Sequence, residues 1–478
     1  MAISLSQNQS VILKSDSPIV YVDALAGTGK TTLLKSIAHY YIGERILYLV
    51  YNKDRAEEAR MNFGPNVMVA TFSAYVWGRY RDTYHNVLDD ISFGALNQLL
   101  PDEPYGRQDA RRAPYIKAII STLNYFFAST DTSLLYKHIV NTHELKEQSI
   151  DKKEVLSKAK RAWDLMRDPT KKLLPMTHAS LCKLFLIEKM QMAHDIILCD
   201  EVQDFTPSMV HSVLLQRHAK RILVGDQHQK LYGFRHAVNP FSLLKEYEEK
   251  HQVEIGFYTM QQSYRAGNRI IDCARRYLEK FKAYPSNYIG RHDLDARIGK
   301  VDKRNSAILF RYNSNVLNEY LSLVNDTQSI NIIGGLKQYD ALKLAELYMK
   351  REFNSTFMSC NYYRDLSFDQ IRANVDYMND GKTPSLIKLF DKHDIKTINM
   401  LIGQLETDGR ANGMADISIS TVHKFKGLES ENVILGWDVK SPFSLRQCEQ
   451  EEEINIGYVG ITRAKCNLEL PRSWFEHV

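Results

Sequence analysis

A chain of 478 residues with 44% apolar content has the length for roughly two to four domains, each with a sizeable core. Its formal charge of +5 is small for that length, so bulk charge identifies no polyanionic partner and is ordinary for an enzyme. Six scattered cysteines (Cys182, Cys199, Cys273, Cys360, Cys448, Cys466) form no Cys-x-x-Cys pair, and no run approaches the ~20 apolar residues that span a bilayer, which argues against a zinc ribbon, an iron–sulfur site and a membrane span.

The chain opens on a helix-like stretch, Ser6 to Lys14, with no basic start and long apolar core of a signal peptide. Scattered thiols and no leader point to the cytoplasm, or to the nucleus in a eukaryote, and to no membrane partner. An apolar run from Pro18 to Asp23 leads into Ala-Leu-Ala-Gly-Thr-Gly-Lys-Thr, residues 24–31, and an amphipathic helix to Tyr41 follows. Ile46 to Tyr51 and Val67 to Thr71 read as buried strands. Strand–helix alternation of this kind predicts a parallel sheet with helices on both faces. From Tyr75 to about Lys172 the apolar residues recur at helical spacing (Tyr115, Ile116, Ile119, Ile120, Leu123, Phe126, Phe127) with no strand signal, so a helical insertion is expected there. Lys152 to Lys172 is rich in Lys and Arg. It reads first as a solvated helix face and second as a nucleic-acid track. Asp195 to Asp200 and Arg221 to Asp226 return to buried strands ending in acid. A second alternating region starts near Val253 and includes Ala307 to Arg311, Ile330 to Ile333, Ile417 to Thr421 and Asn432 to Trp437, with a mostly helical stretch between Lys337 and Met414. The layout predicted is α/β: two parallel-sheet cores, each with a mainly helical insertion.

The chemistry concentrates at two points. In the first loop, backbone N–H groups and the following helix N-terminus suit phosphate oxygens. Ala26, Gly27, Thr28, Gly29, Lys30, Thr31 and Thr32 are the candidates to hold a triphosphate. Lys30 neutralises its outer phosphates and Thr31 offers an oxygen to Mg²⁺. Ala24 stands where the strict pattern has glycine. Downstream, the apolar run Ile196-Ile197-Leu198 ends in Cys-Asp-Glu-Val-Gln-Asp. Asp200 is the expected second Mg²⁺ ligand and Glu201 the base for an attacking water. Gln229, after the second acid-ended strand, is placed to sense the γ-phosphate. ATP and Mg²⁺ are therefore the expected cofactors.

The whole set resembles the superfamily 1 helicases of the UvrD/Rep type, with motifs in that family's order over residues 5 to 470. LSQNQSVI matches the segment with the adenine-reading glutamine, here Gln9. VYNKDRAEEAR and ATFSAY match single-strand contact segments, placing Asn52, Thr71 and Phe72 on nucleic acid. VGDQHQKLYGFRHAVNPF matches the motif of Gln229, and adds Tyr232, Phe234 and Arg235 as strand contacts. QQSYRAGNRI supplies an adenine-stacking Tyr264 and an arginine finger, Arg265. STVHKFKGLES and GYVGITRAKCNLEL place Thr421 and His423 on the strand, Glu429 near the ribose, and Arg463 as a second finger. THASLCKLFLIEK, DEVQDFTPSM and the Gln229 motif are similar to the helicase core of the F-box DNA helicases; no F-box is expected before the phosphate loop. Ser73 stands where that family often has His, and His236 where it usually has Gly.

What this resemblance implies is two RecA-like cores: residues 1–75 with 173–252, carrying insertion 76–172, and 253–336 with 415–478, carrying a reduced insertion 337–414. Their expected work is ATP-driven translocation on single-stranded DNA, 3′ to 5′, and unwinding at single-strand/duplex junctions in repair, recombination or replication-related processing. ATP draws the cores together through Arg265 and Arg463, and hydrolysis releases them. The competing expectation is an ATP-gated nucleoprotein remodeller, or a helicase-like subunit beside a partner nuclease or repair protein, with little unwinding of its own. A signalling P-loop ATPase fits less well, because the Tyr264-Arg265 and Thr462-Arg463 segments belong to a two-core motor.

Overall fold

The computed structural model describes residues 5–100, 105–106, 109, 111–140, 142–170, 173–231, 239–282, 287–324, 329–356, 366–373, 382–405, 416–441 and 450–474. The chain divides into two compact units, 1–260 and 261–478.

The first unit is built on strands β1 (Ile19–Ala24), β2 (Ile46–Val50), β3 (Val67–Thr71), β4 (Val87–Leu88), β5 (Met176–Thr177), β6 (Ile196–Cys199), β7 (Lys220–Gly225) and β8 (Ile255–Met260). Six of them form one parallel sheet in the order β3-β2-β6-β7-β1-β8. Its strands are near-continuous apolar runs because helices cover both faces; all of Ile46–Val50 is buried. Register decides the chemistry. Val22 lies opposite Val224 and Leu49 opposite Cys199, so Asp23, Asp200 and Asp226 leave the sheet at one carboxyl edge, where open α/β sheets bind ligands.

Two expectations need correcting. The second core was to begin at Val253, but β8 pairs with β1 from Ile19↔Ile255 to Ala24↔Met260, so the boundary falls after Met260. A strand's own residues do not say which sheet it will join, and β1 had an open edge. The stretch 76–172 was to hold no strand, yet Val87–Leu88 pairs with Met176–Thr177; a two-residue pairing leaves no periodicity to read.

The insertion does fold as helices, chiefly Arg112–Ala128 and Lys152–Arg167. The second turns Val155, Leu156, Ala159, Ala162, Trp163 and Met166 inward. Trp163 meets Phe127 at 5.2 Å. Their core runs without a break into Leu47, Leu49 and Phe185 of the sheet layer, so the insertion is welded to the core that carries it.

The second unit holds β9 (Gln262–Gly267) beside β10 (Ile289–Arg291), and a six-stranded parallel sheet of β11 (Arg297–Ile298), β12 (Ser306–Phe310), β13 (Ile330–Ile332), β14 (Ile417–Thr421), β15 (Ser430–Leu435) and β16 (Ala464–Glu469). The order is β11-β16-β15-β12-β14-β13. Helices Ala341–Phe353, Phe368–Ala373, Thr383–Lys392 and Ile395–Gln404 share one apolar core with β12 and β14.

Candidate nucleotide site and nucleic-acid edge

β1 ends at Ala24 and the chain turns through Gly27 (φ +74°) and Gly29 (φ +86°). Both lie in the left-handed region, where a side chain is strained. Thr28 closes the loop by donating its hydroxyl to the Leu25 carbonyl, 2.8 Å. Gly29 precedes the helix Lys30–Tyr40 and no side chain caps it, so its first amides are open to an anion. Lys30 Nζ donates to the Ala24 carbonyl, 3.1 Å, across the mouth of the loop. Thr31 is exposed, Thr32 half-buried and Ala26 buried.

The carboxylates face this loop. Asp200 is buried; burial and the neighbouring Glu201 push its pKa up, and the Tyr48 hydroxyl donates to it at 2.6 Å. Glu201 takes a left-handed backbone, φ +54°, unusual for a non-glycine residue and often a mark of function. Its carboxylate accepts from the amide of Gln203. Gln203 is wholly buried, and its own carbonyl oxygen accepts the Asp226 N–H at 3.0 Å. Gly225 makes room for this: a Cβ there would lie 2.5 Å from Gln203 Oε1. Asp226 is fully buried with its pKa raised by burial, Lys30 opposing. Gln229 donates to Asp226 at 2.7 Å, so the expected phosphate sensor is turned onto this acid.

Sequence reading passed over three residues here. Gln203 lay in plain view within the acid motif, as the only side chain there able both to donate and to accept. Asp23 is pushed up to about 6, first by burial and then by Asp226. Gln227 donates to Asp23 at 2.8 Å and accepts from Asn239 at 3.0 Å. Gln9, the expected adenine reader, is buried at the helix Gln7–Leu13 and closes a capping box: its Oε1 accepts the Ser6 N–H at 3.0 Å.

In the second unit Tyr264 is 49% exposed on β9, as a stacking ring must be. Beside it Arg265 donates to Glu429 (2.7 Å) and to the Thr462 carbonyl (3.3 Å). Glu429 also binds Lys465 at 2.8 Å. Burial opposes its charge, but Lys465 and Arg265 outweigh burial and hold its pKa below the usual range. Arg463 is the second expected finger. It is 1% exposed, with its guanidinium on the Val459 and Leu428 carbonyls (3.0 and 3.3 Å) and the Thr462 hydroxyl (3.2 Å).

The expected strand contacts divide. Phe72 is a correction: it is 1% exposed and packs on Phe185 and Phe205. It begins a helix directly after β3, so its ring falls into the core instead of onto a base. Thr71 is buried and caps that helix, accepting the Ala74 N–H at 3.1 Å. Asn52 is exposed and caps Lys53–Arg60 through the Arg55 N–H, 3.0 Å. Thr421 ends β14, buried, with His423 two residues on and 3.9 Å from Glu452. Tyr232, Phe234 and Arg235 lie outside the described residues.

Two parallel α/β sheets, with a phosphate loop facing buried acids in the first, are the arrangement of a P-loop nucleotide-binding protein. Family comparison agrees: residues 7–235 match an AAA domain and residues 385–473 the UvrD-like helicase C-terminal domain. Along nearly all its length the chain is similar to F-box DNA helicases. It is 30% identical to F-box DNA helicase 1 of Gallus gallus (96% of this chain, 48% of that protein) and 26% to F-box DNA helicase protein 1 of Schizosaccharomyces pombe (97% and 57%). It is 22% identical to a probable DNA helicase of Mycoplasma pneumoniae, across 96% of this chain and 82% of that one. The chain thus spans about half the length of the F-box helicases it matches. No helix among the described residues is long and apolar enough to cross a membrane.

Proposed function

We propose that this protein hydrolyses ATP to move along single-stranded DNA, 3′ to 5′, and to open duplex at single-strand junctions. The observation that carries the reading is the convergence of Lys30, the open helix N-terminus, Asp200 and Glu201 on one sheet edge. Among the described residues no three His, Cys, Asp or Glu side chains are grouped to hold a metal alone. That suits Mg²⁺, which is usually held by one or two carboxylates plus substrate phosphates. Asp200 and Thr31 supply hard oxygens for it. Bound there, the ion neutralises charge that develops on the phosphates.

Glu201 orients and deprotonates the attacking water, and the Gln203 amide holds its carboxylate in place. Lys30 leaves the Ala24 carbonyl for the β- and γ-phosphates. Tyr264 is the residue for stacking on the adenine, Glu429 for the ribose, and Gln9 of the first unit for reading the adenine edge. Arg265, and Arg463 after exchanging its carbonyl partners, stabilise charge in the transition state, an effect on the order of 10³–10⁵-fold for such arginines. A remodeller or helicase-like subunit with a nuclease or repair partner is the second reading.

The test is steady-state ATP turnover with and without single-stranded DNA, with Lys30→Ala as blank. Strong stimulation supports the motor, and unwinding of 3′-tailed over 5′-tailed duplex fixes its direction. Stimulation without unwinding transfers the conclusion to the remodeller. Turnover indifferent to DNA refutes both.

A further inference from the structure

The second unit carries an aromatic pair that none of the motifs uses. Trp437 is 66% exposed and Tyr312 45% exposed. Trp163 and Trp474, by contrast, are buried. Exposure on a loosely held loop would carry little weight, but these two rings sit on fastened turns. β12 and β15 run side by side in parallel, Leu309 opposite Leu435. Arg311-Tyr312 and Gly436-Trp437 therefore leave the sheet together at its carboxyl edge. The Gly436 N–H donates to the Leu309 carbonyl at 2.7 Å. A Cβ on Gly436 would lie 2.4 Å from the Phe310 ring, so only glycine lets the chain press so closely here. The Asp438 carboxylate accepts the N–H groups of Arg311 and Tyr312, both at 3.0 Å, and the Asn315 amide at 2.8 Å. Val439 is buried, and its carbonyl accepts the Trp474 indole N–H at 2.9 Å. The chain on both sides of Trp437 is pinned while the indole stays in solvent.

The same edge receives the end of β14, where Thr421 lies opposite Phe310. His423, Lys424 and Lys426 follow it, and the exposed Lys440 follows Trp437. Arg311 is paired with Glu453 (2.8 Å) and Glu452 (3.2 Å), and its guanidinium stands 5.2 Å from the Tyr312 ring centre. Its task is to steady that ring, not to offer free charge.

We propose that Trp437 and Tyr312 form a base-stacking platform for single-stranded nucleic acid on the carboxyl edge of the second sheet. The proposal rests on the single-strand reading above and names where, in this unit, bases are gripped. Neighbouring strands lie about 4.8 Å apart, so rings on adjacent strand ends reach the same base or consecutive ones. Every base presents a π-face, so the grip is independent of sequence, as a translocating protein requires.

The experiment is equilibrium binding of labelled oligo(dT) to the full chain by fluorescence anisotropy, at low salt. Loss of one stacked base corresponds to a weakening of about 5- to 150-fold. Trp437→Ala and Tyr312→Ala should each fall in that range, whereas Trp437→Phe, which keeps a stacking ring, should stay within about threefold of the parent. Quenching of intrinsic tryptophan fluorescence by the oligonucleotide should largely vanish in Trp437→Phe and persist in Trp77→Phe. Thermal unfolding confirms that each variant is folded. Alanine variants that bind like the parent overturn the platform and leave the single-strand reading intact. A Trp437→Phe as weak as Trp437→Ala also overturns it, because the loss is then not of stacking. No binding by the parent overturns both.

Discussion

Asp23 gives a prediction whose size follows from its surroundings. It closes β1 just before the phosphate loop, with one oxygen on the Gln227 amide at 2.8 Å and no partner on the other among the described residues. Burial and the nearby Asp226 raise its pKa from 3.8 to about 6. A carboxylate whose pKa is higher folded than unfolded stabilises the fold below its unfolded pKa. That stability is lost as pH rises through the folded pKa. The window is therefore about pH 4 to 6, and at 1.36 kcal/mol per pH unit the loss totals about 3 kcal/mol. Asp23→Asn keeps an acceptor for Gln227 and removes the charge. It should stabilise the first unit by up to about 3 kcal/mol near pH 7.5, about half that near pH 5, and under ~1 kcal/mol near pH 4. Thermal melts across pH measure this, taking the transition of the first unit because two units need not melt as one. A gain independent of pH, or none near pH 7.5, would refute the claim that Asp23 is held charged against its environment. Such gains often come at the expense of activity where the strained group is functional, so ATP turnover of the same variant is worth recording.

Glu201→Gln should still bind ATP and DNA but lose turnover by at least ~10²-fold, as removal of a general base does; a stopped-flow rate near that of the parent removes Glu201 as the base. Phe72→Ala should destabilise the first unit by about 3–5 kcal/mol, the usual loss for a core aromatic. Phe72→Leu should bind oligo(dT) as the parent does, and a selective loss of DNA affinity in that variant would restore Phe72 as a strand contact. Arg463→Ala strips the Leu428 and Val459 carbonyls of a charged donor and should lower stability by about 1–3 kcal/mol besides slowing turnover. Arg463→Lys, read by ATP Kd against turnover rate, separates the two roles: normal stability with slow turnover marks a finger, and recovery of both marks a structural arginine.

Much of this architecture was readable in the chain because parallel strands buried on both faces are plain apolar runs: Ile46–Val50 and Ile417–Thr421 announce themselves. The phosphate loop was readable because its two glycines answer to backbone angles no other residue adopts easily. What escaped was decided by partners far along the chain. β8 went to the first sheet because β1 had an edge to fill, a fact written in residues 19–24 and not in 255–260. Phe72 is as aromatic as a stacking residue should be, and only Phe185 and Phe205, more than a hundred residues away, show it to be core. That Arg463 is held on the carbonyls of Leu428 and Val459 is likewise not written in its own segment, since Leu428 lies 35 residues away.

The buried acids of the first unit are handled by three glutamines, and this has a mechanical consequence. Gln203 spans Glu201 and the Asp226 backbone, Gln229 holds the Asp226 side chain, and Gln227 spans Asp23 and Asn239. Amides suit the task because each both donates and accepts without adding charge to a site that must remain poised for a triphosphate. Asp226 is the node: its N–H, one carboxylate oxygen and its charge each answer to a different neighbour. A γ-phosphate that drew Gln229 away would remove one of the hydrogen bonds that favour the charged form of Asp226 and push its pKa further up, leaving the nearby cation as the main opposing influence. Lys30 is the cation whose attraction Asp226 already feels. Gln227, next in sequence to that node, ends on Asn239, the residue that caps the following helix by accepting the Phe241 N–H at 3.0 Å. The acid at the end of β1 is thereby linked through hydrogen bonds of 2.8 and 3.0 Å to Asn239, at the start of the following helix.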